Sequence, residues 1–394
     1  MPLSAPVYIA SACRTPMGSY LGALSSLTAP KLGSVAIRDA IERAGISADS
    51  IEEVFMGNVL NAGVGQAPAR QAAIGADVPT SAPATTVSKV CGSGLQAVIL
   101  GAKTIALGDA ELVVAGGMEA MSQVPYYLPK ARSGYRMGHG QVIDGMVHDG
   151  LWDPYGDFHM GEAGESCAEK FDLSRQAQDA YAKRSYERAL KAQQDGLFDD
   201  ELVSVEVPQR RGEPVVVSQD EEPGRGKLDT FDRLRPAFQK DGTITAANAS
   251  TINDGASALV LASEAAIKKH NLTPLARIVG YGGAAQDPEW FTTAPAAAID
   301  NALARTSLKR SDMDLHEINE AFSVVAMACS QLCELDPDIV NVRGGAVALG
   351  HPIGASGARI LTTLLYAMRD LDKKRGMASI CIGGGEALAL IVER

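Results

Sequence analysis

Long apolar runs are missing from this 394-residue chain. No segment approaches eighteen uninterrupted apolar residues, which argues against a membrane-spanning helix. A basic excess is missing too, with 36 Lys and Arg against 47 Asp and Glu and a net charge of -11. Neither nucleic acid nor membrane is therefore an expected partner, and an anionic substrate has to be met by local N–H groups and a few cations. The opening stretch MPLSAPVYIASACRTP lacks the basic and apolar regions of a secretory signal, and the closing IVER carries no peroxisomal address. A soluble, cytoplasmic protein is the expectation. Cysteine is sparse (Cys13, Cys91, Cys167, Cys329, Cys333 and Cys381) and forms no CxxC pair, which fits neither a disulfide framework nor a zinc site. Cys329 and Cys333 lie in the apolar stretch FSVVAMACSQLC and read as core. GxxxxGKS/T is absent and no GxGxxG follows a strand, so a nucleotide-binding loop is disfavoured.

What is present is a repeat. AIRDAIERAGISADSIEEVFMGN (36–58) returns as AIDNALARTSLKRSDMDLHEINE (298–320). Both copies read as a helix, a loop with a helix-starting Ser or Asp, and a strand running into a polar turn. GLQAVILGAKTIALGDAELVVAGGMEA (94–120) is matched by GARILTTLLYAMRD and MASICIGGGEA within 357–387. The alternation predicts an α/β fold with a mainly parallel sheet in each half. Residues 121–249 have no counterpart and read as an insertion. The first half is expected to comprise 1–120 with 250–272, where the chain rejoins its sheet, and the second 273–394. A site formed where matching loops of both halves meet puts functional residues at matching places in both copies.

Those places hold reactive side chains. In SKVCGSGLQAV, Cys91 precedes a helix expected to start at Ser93 or Gly94, where the helix dipole and free N–H groups favour a thiolate. A buried cysteine at a tight turn is the alternative. In the glycine-rich GGAVALGHPIGASGAR, His351 precedes a helix expected near Ser356 and is a candidate general base. Cys381 sits at a strand end in CIGGG, whose glycines expose N–H groups as an oxyanion hole requires. Asn319, in HEINEAF, ends another strand and offers an amide that can hold a water.

CGSGL (91–95), NEAF (319–322), GHPIGASGAR (350–359) and CIGGG (381–385) resemble the signatures of the thiolase family in order and spacing, over essentially the whole chain. The resemblance implies the thiolase fold: two βαβαβαββ halves in five α-β-α-β-α layers, with a loop domain inserted in the first. It implies an acetyl-CoA C-acetyltransferase that joins two acetyl-CoA into acetoacetyl-CoA through an acyl-Cys91 intermediate. His351 takes the Cys91 proton and Cys381 the carbon-bound proton. One oxyanion hole is formed by His351 with a water on Asn319, the other by the N–H groups of Cys91 and Gly383. No cofactor is required beyond coenzyme A as substrate and product, and a homotetramer is implied. A degradative 3-ketoacyl-CoA thiolase of broader chain length is the alternative.

By the same resemblance His159 and Met160, in DFHMGE, match the pair that short-chain members place over the pantetheine and acyl pocket, and Met160 with Phe322 closes that pocket after a few carbons. Ser250 matches the serine that bonds the pantetheine amide, and Phe238 the aromatic neighbour of CoA. Thr230 and Arg225 complete the implied CoA contacts. Ser166 and Pro223 stand where relatives have an asparagine and an arginine, so Arg225 or Lys227 is expected to substitute near the adenine. Tyr186, Ala246, Ala247, Ala249 and Val347 resemble the potassium site of the mitochondrial acetoacetyl-CoA thiolase type.

Overall fold

Pro30 in the first turn and a left-handed Gly45 (φ 69°) delimit helix α1 (Ala29–Ala44). Leu32, Ala36, Ile37, Ala40 and Ile41 recur at helical spacing between them, and all are buried on one face. The same logic builds α2 (Pro68–Gly75) and α3 (Ser93–Leu107), then α4 (Met160–Lys170) and α5 (Arg175–Gln194) in the insertion, and α6 (Glu264–His270) after it. The second half contributes α7 (Ala294–Thr306), α8 (Ser323–Cys333), the single turn α9 (Ala346–Leu349) and α10 (Ile353–Asp370). This computed structural model describes residues 3–394.

The strands of the two halves run in matching order. From its outer edge, the first half places Ala84–Val87, Glu53–Gly57, Leu112–Ala120, Asn253–Ser263 and Val7–Arg14 side by side. The second runs from Leu315–Ile318 through Arg375–Ile382 and Glu386–Glu393 to Ala276–Ala285. Its outermost position is reduced to a single bridge between His316 and Val340. The halves join where Val7–Arg14 pairs antiparallel with Ala276–Ala285. Apart from isolated bridges, parallel pairing among the described strands is limited to Glu53–Gly57 with its two neighbours and to Leu315–Ile318 with Arg375–Ile382. The expectation of a mainly parallel sheet is therefore corrected. In each half the strand that follows the helical crossovers returns antiparallel, by a hairpin at Gly383–Gly385 in the second half and after the long insertion in the first.

Helices α3 and α10 lie between the sheets, where Leu95, Val98 and Ile99 share one apolar cluster with Ile360, Leu361, Val113, Leu259, Ile380 and Leu390. Helices α1 and α2 cover the outside of the first half, and α7 and α8 the outside of the second. That is the five-layer arrangement. The stretch Val90–Leu107 is long and apolar enough to pass for a membrane span, but its helix belongs to this central layer. Cys329 and Cys333 are core residues of α8.

The glycines of GASGAR serve the crossing of α3 and α10. A Cβ on Gly357 would come within 2.5 Å of the Leu95 nitrogen, and one on Gly94 within 2.8 Å of the Ala358 nitrogen. The helix after His351 accordingly starts at Ile353, earlier than Ser356, and accepts glycines in its first turns because backbone must approach backbone there. The insertion is anchored by Arg14, which has no exposed surface and pairs with Glu201 at 2.6 Å and with Asp220 at 2.7 and 2.9 Å. Pairing of this kind offsets the cost of burying a guanidinium.

Candidate active site

Cys91 sits on a strained turn between strand Ala84–Val87 and α3. Val90, a β-branched residue, has φ of 44°, and the turn is locked by Ser93, whose hydroxyl accepts from the Lys89 N–H and donates to the Val90 carbonyl. The Cys91 thiol faces N–H groups of Gly383 and of Cys91 itself, which favour the thiolate. Burial outweighs them and pushes its pKa up to about 11, with the Glu119 carboxylate acting in the same direction. The helix start that favours a thiolate is thus opposed by desolvation, which disfavours the charged sulfur.

His351 comes from the matching turn of the second half. Gly350 (φ 100°) packs against Asn253, whose Oδ1 accepts the His351 N–H at 2.9 Å. Nδ1 lies 2.6 Å from the Ser356 hydroxyl, and that hydroxyl donates to the Pro352 carbonyl at 2.9 Å. With the hydroxyl hydrogen committed to the carbonyl, Nδ1 is the donor and Nε2 keeps its lone pair. Burial, and then the Arg359 charge, press the imidazole down to about 3, so it is neutral and open to a proton.

Asn319 is buried at the end of strand Leu315–Ile318. Its Nδ2 lies 3.5 Å from His351 Nε2, and its Oδ1 has no protein partner, so the amide keeps unused hydrogen-bonding capacity beside the imidazole. Cys381 is fully buried opposite Ala387, and its thiol pKa is driven well up by burial and then by neighbouring Cys91. Gly384 and Gly385 take φ of 86° and 85°, which only glycine accepts readily, and this tight turn aims the Gly383 N–H at Cys91.

Cys91, His351 and Gly383 line a cavity of about 230 Å³ together with His159, Met160, Phe238, Ser250 and Phe322. His159 caps α4: its Nδ1 accepts from the Gly161 N–H at 3.1 Å, leaving the proton on Nε2. Its ring stacks on Phe238 at 4.8 Å, and Phe238 meets Phe322 edge-on at 5.9 Å. Ser250 donates to the Ala321 carbonyl at 2.8 Å and retains acceptor capacity toward the cavity.

Other expected residues lie elsewhere. Arg225 is exposed and Thr230 half-buried, its hydroxyl donating to the Lys227 carbonyl, and neither lines the cavity. Tyr186, Ala247 and Val347 share a separate buried cluster and Ala246 is exposed, whereas Ala249 lines the cavity beside Ser250. Sequence reasoning missed Ser356, Asn253 and Glu119. Ser356 was visible as the mate of Ser93 in GASG and CGSG.

A nucleophilic thiol, a neutral imidazole, a second thiol and a pair of N–H groups around a narrow apolar cavity define an acyl-transfer site. The description "Thiolase, N-terminal domain" fits residues 7–265, and "Thiolase, C-terminal domain" fits 272–394. The chain belongs to the thiolase family. It is 53% identical over 389 residues to an acetyl-CoA acetyltransferase of Schizosaccharomyces pombe, covering 98% of each chain. It is 51% identical to one of Cupriavidus necator, over 98% of this chain and 99% of the other. Among solved structures, the Acat5 thiolase of Ascaris suum in complex with coenzyme A is 45% identical, with a TM-score of 0.94 over 99% of this chain and 100% of that one. The acetyl-CoA acetyltransferase of Bacillus anthracis is 41% identical, with a TM-score of 0.96 over 99% and 98%.

Proposed function

We infer that this chain is an acetyl-CoA C-acetyltransferase that forms acetoacetyl-CoA reversibly. The observation that carries the reading is the convergence of Cys91, His351 and the Gly383 N–H on one cavity roofed by Met160, Phe238 and Phe322. Because the resting Cys91 is a thiol and His351 a weak base, proton transfer to Nε2 accompanies attack on the thioester carbonyl. The tetrahedral oxyanion is met by N–H groups. CoA thiolate departs with the Cys381 proton, leaving Cys381 as a thiolate in surroundings that disfavour its charge, hence a strong base.

A second acetyl-CoA then gives its methyl proton to Cys381. The carbanion attacks acetyl-Cys91, and the released Cys91 sulfur recovers its proton from His351. The Asn319 amide with its water, beside His351, stabilises the enolate oxygen. Condensation and thiolysis assays with acetoacetyl-CoA on wild type, Cys91→Ala and Cys381→Ala test this, and turnover by Cys91→Ala would sink it. The rival reading, a thiolase of broad chain length, requires comparable thiolysis of long 3-ketoacyl-CoA substrates. The apolar roof favours short chains.

Two finer points belong to the same reading. Tyr186 is buried near the carboxylates of Glu222 and Glu320, oxygen-rich surroundings suited to a hard cation. A potassium ion there would be held by the Tyr186 hydroxyl and the carbonyls of Ala246, Ala247, Ala249 and Val347, and would brace the loop carrying Ser250. Equal rates in sodium and potassium buffers would remove it. A homotetramer is the expected assembly, and sedimentation velocity reads it directly.

A further inference from the structure

Outside the residues already assigned, one buried carboxylate stands at the junction of the two halves. Glu119 has no exposed surface, at the end of strand Leu112–Ala120. Its Oε1 accepts from Asn58 Nδ2 at 2.7 Å and from the Leu60 N–H at 3.2 Å. Its Oε2 accepts from the Val59 N–H at 3.1 Å and from the Gly354 N–H at 2.9 Å. The last bond crosses between the halves, because Gly354 lies in the first turn of α10, three residues after His351. A carboxylate at a helix N-terminus is also favoured by the helix dipole.

The repeat supplies a control for what the fold itself requires. Strand register sets Met56 beside Gly116 in the first half and Ile318 beside Ser379 in the second. Three residues further along lie Glu119 and Ile382. Ile382 is buried at the start of α3, where a Cβ on Gly92 would come within 2.4 Å of it. The place that abuts the partner helix is thus filled by an aliphatic side chain in one copy and by a charge in the other. Packing alone does not call for the charge. What differs is the turn it faces, since that turn carries His351, and Asn253 from the same half holds the His351 N–H.

We propose that Glu119 is a positioning residue, clamping the start of α10 so that His351 Nε2 meets the Cys91 thiol. It rests on the thiolase reading above, in which His351 takes the Cys91 proton. Glu119→Gln keeps size but replaces one acceptor oxygen with a donor. Glu119→Asp keeps the charge and shortens the reach.

Expected for Glu119→Gln is a native melting profile, KM for acetoacetyl-CoA within about two-fold of wild type, and kcat lower by about 10- to 100-fold, with partial recovery in Glu119→Asp. Loss of the Glu119 charge by itself would ease ionisation of Cys91 and speed its alkylation by iodoacetamide. Slower alkylation in Glu119→Gln would therefore report lost alignment of His351, and the same substitution should not slow alkylation on a His351→Ala background. Wild-type kcat and alkylation rate in Glu119→Gln would overturn the proposal. An equal further loss on the His351→Ala background would do so as well, since it would mark a general structural role. If wild type itself fails to thiolyse acetoacetyl-CoA, the functional reading falls while the alkylation cycle still reports on Glu119.

Discussion

At the scale of single residues the site divides its labour between two sulfurs that differ mainly in access. Cys91 lines the cavity, while Cys381 lies beneath it with no exposed surface. Cys381→Ala should still accept an acetyl group on Cys91, more slowly because CoA thiolate then departs without that proton, yet lose condensation far more, by about 10² to 10⁴-fold, the usual weight of a positioned proton-transfer group. Rapid-quench acylation beside steady-state condensation separates the two steps, and equal loss in both would contradict the assignment. Asn319→Ala removes the amide 3.5 Å from His351 Nε2 and, on the proposed role of that amide in holding a water at the oxyanion, should lower kcat by about 10² to 10³-fold with little change in KM. The catalytic side chains were legible in the sequence because Cys91, His351 and Cys381 stand at glycine-rich turns and, with Asn319 in HEINEAF, fall in four motifs whose order and spacing resemble the thiolase signatures. Their protonation was not. The helix start pointed to a thiolate at Cys91, and only the folded surroundings bring in the desolvation that opposes it.

Elements set how closely these residues approach and how much room they leave. Helix α4 begins at the cavity roof, with His159 as its cap and Met160 in its first turn. Met160→Ala should extend thiolysis toward longer 3-ketoacyl-CoA, each accommodated methylene improving binding by ~0.8 kcal/mol. A chain-length series of kcat/KM measures this, and an unchanged profile would remove Met160 from chain selection. Where α3 and α10 cross, Gly357→Ala should cost about 1–3 kcal/mol, read as a lower midpoint in urea unfolding, because the Leu95 backbone has no room to yield. Of the GASGAR glycines only Gly354 read in sequence as part of the turn, and the close approach itself did not show, since one chain segment cannot reveal that a second helix presses against it. The strand and helix order of both copies was legible from periodicity. Antiparallel return strands were not, because pairing direction depends on connections that periodicity does not encode. Glu119 left a faint signal as the one charged residue in the strand LVVAGGMEA.

Across the whole molecule, buried titratable groups tie stability to pH. His316 is buried with both ring nitrogens unpartnered and is lowered to about 4 by desolvation, and His351 is lowered to about 3. A histidine depressed on folding binds fewer protons in the native state. Its contribution is complete above the unfolded value near 6.5 and is lost as pH falls toward the folded value. Unfolding free energy should therefore decline from about pH 6.5 to pH 4, and His316→Leu should flatten that decline. Denaturant titrations across this range check it, and an identical slope in the variant would contradict it.

The two halves deliver Cys91 and His351 to one cavity from matching turns, so the central claim is that Cys91 carries the acyl group. Mass spectrometry of the chain quenched after exposure to acetyl-CoA tests it most directly. One acetyl group on the peptide containing Cys91, retained in Cys381→Ala and absent in Cys91→Ala, is the predicted result. An unmodified Cys91, or an acetyl group that persists when Cys91 is removed, would contradict the account.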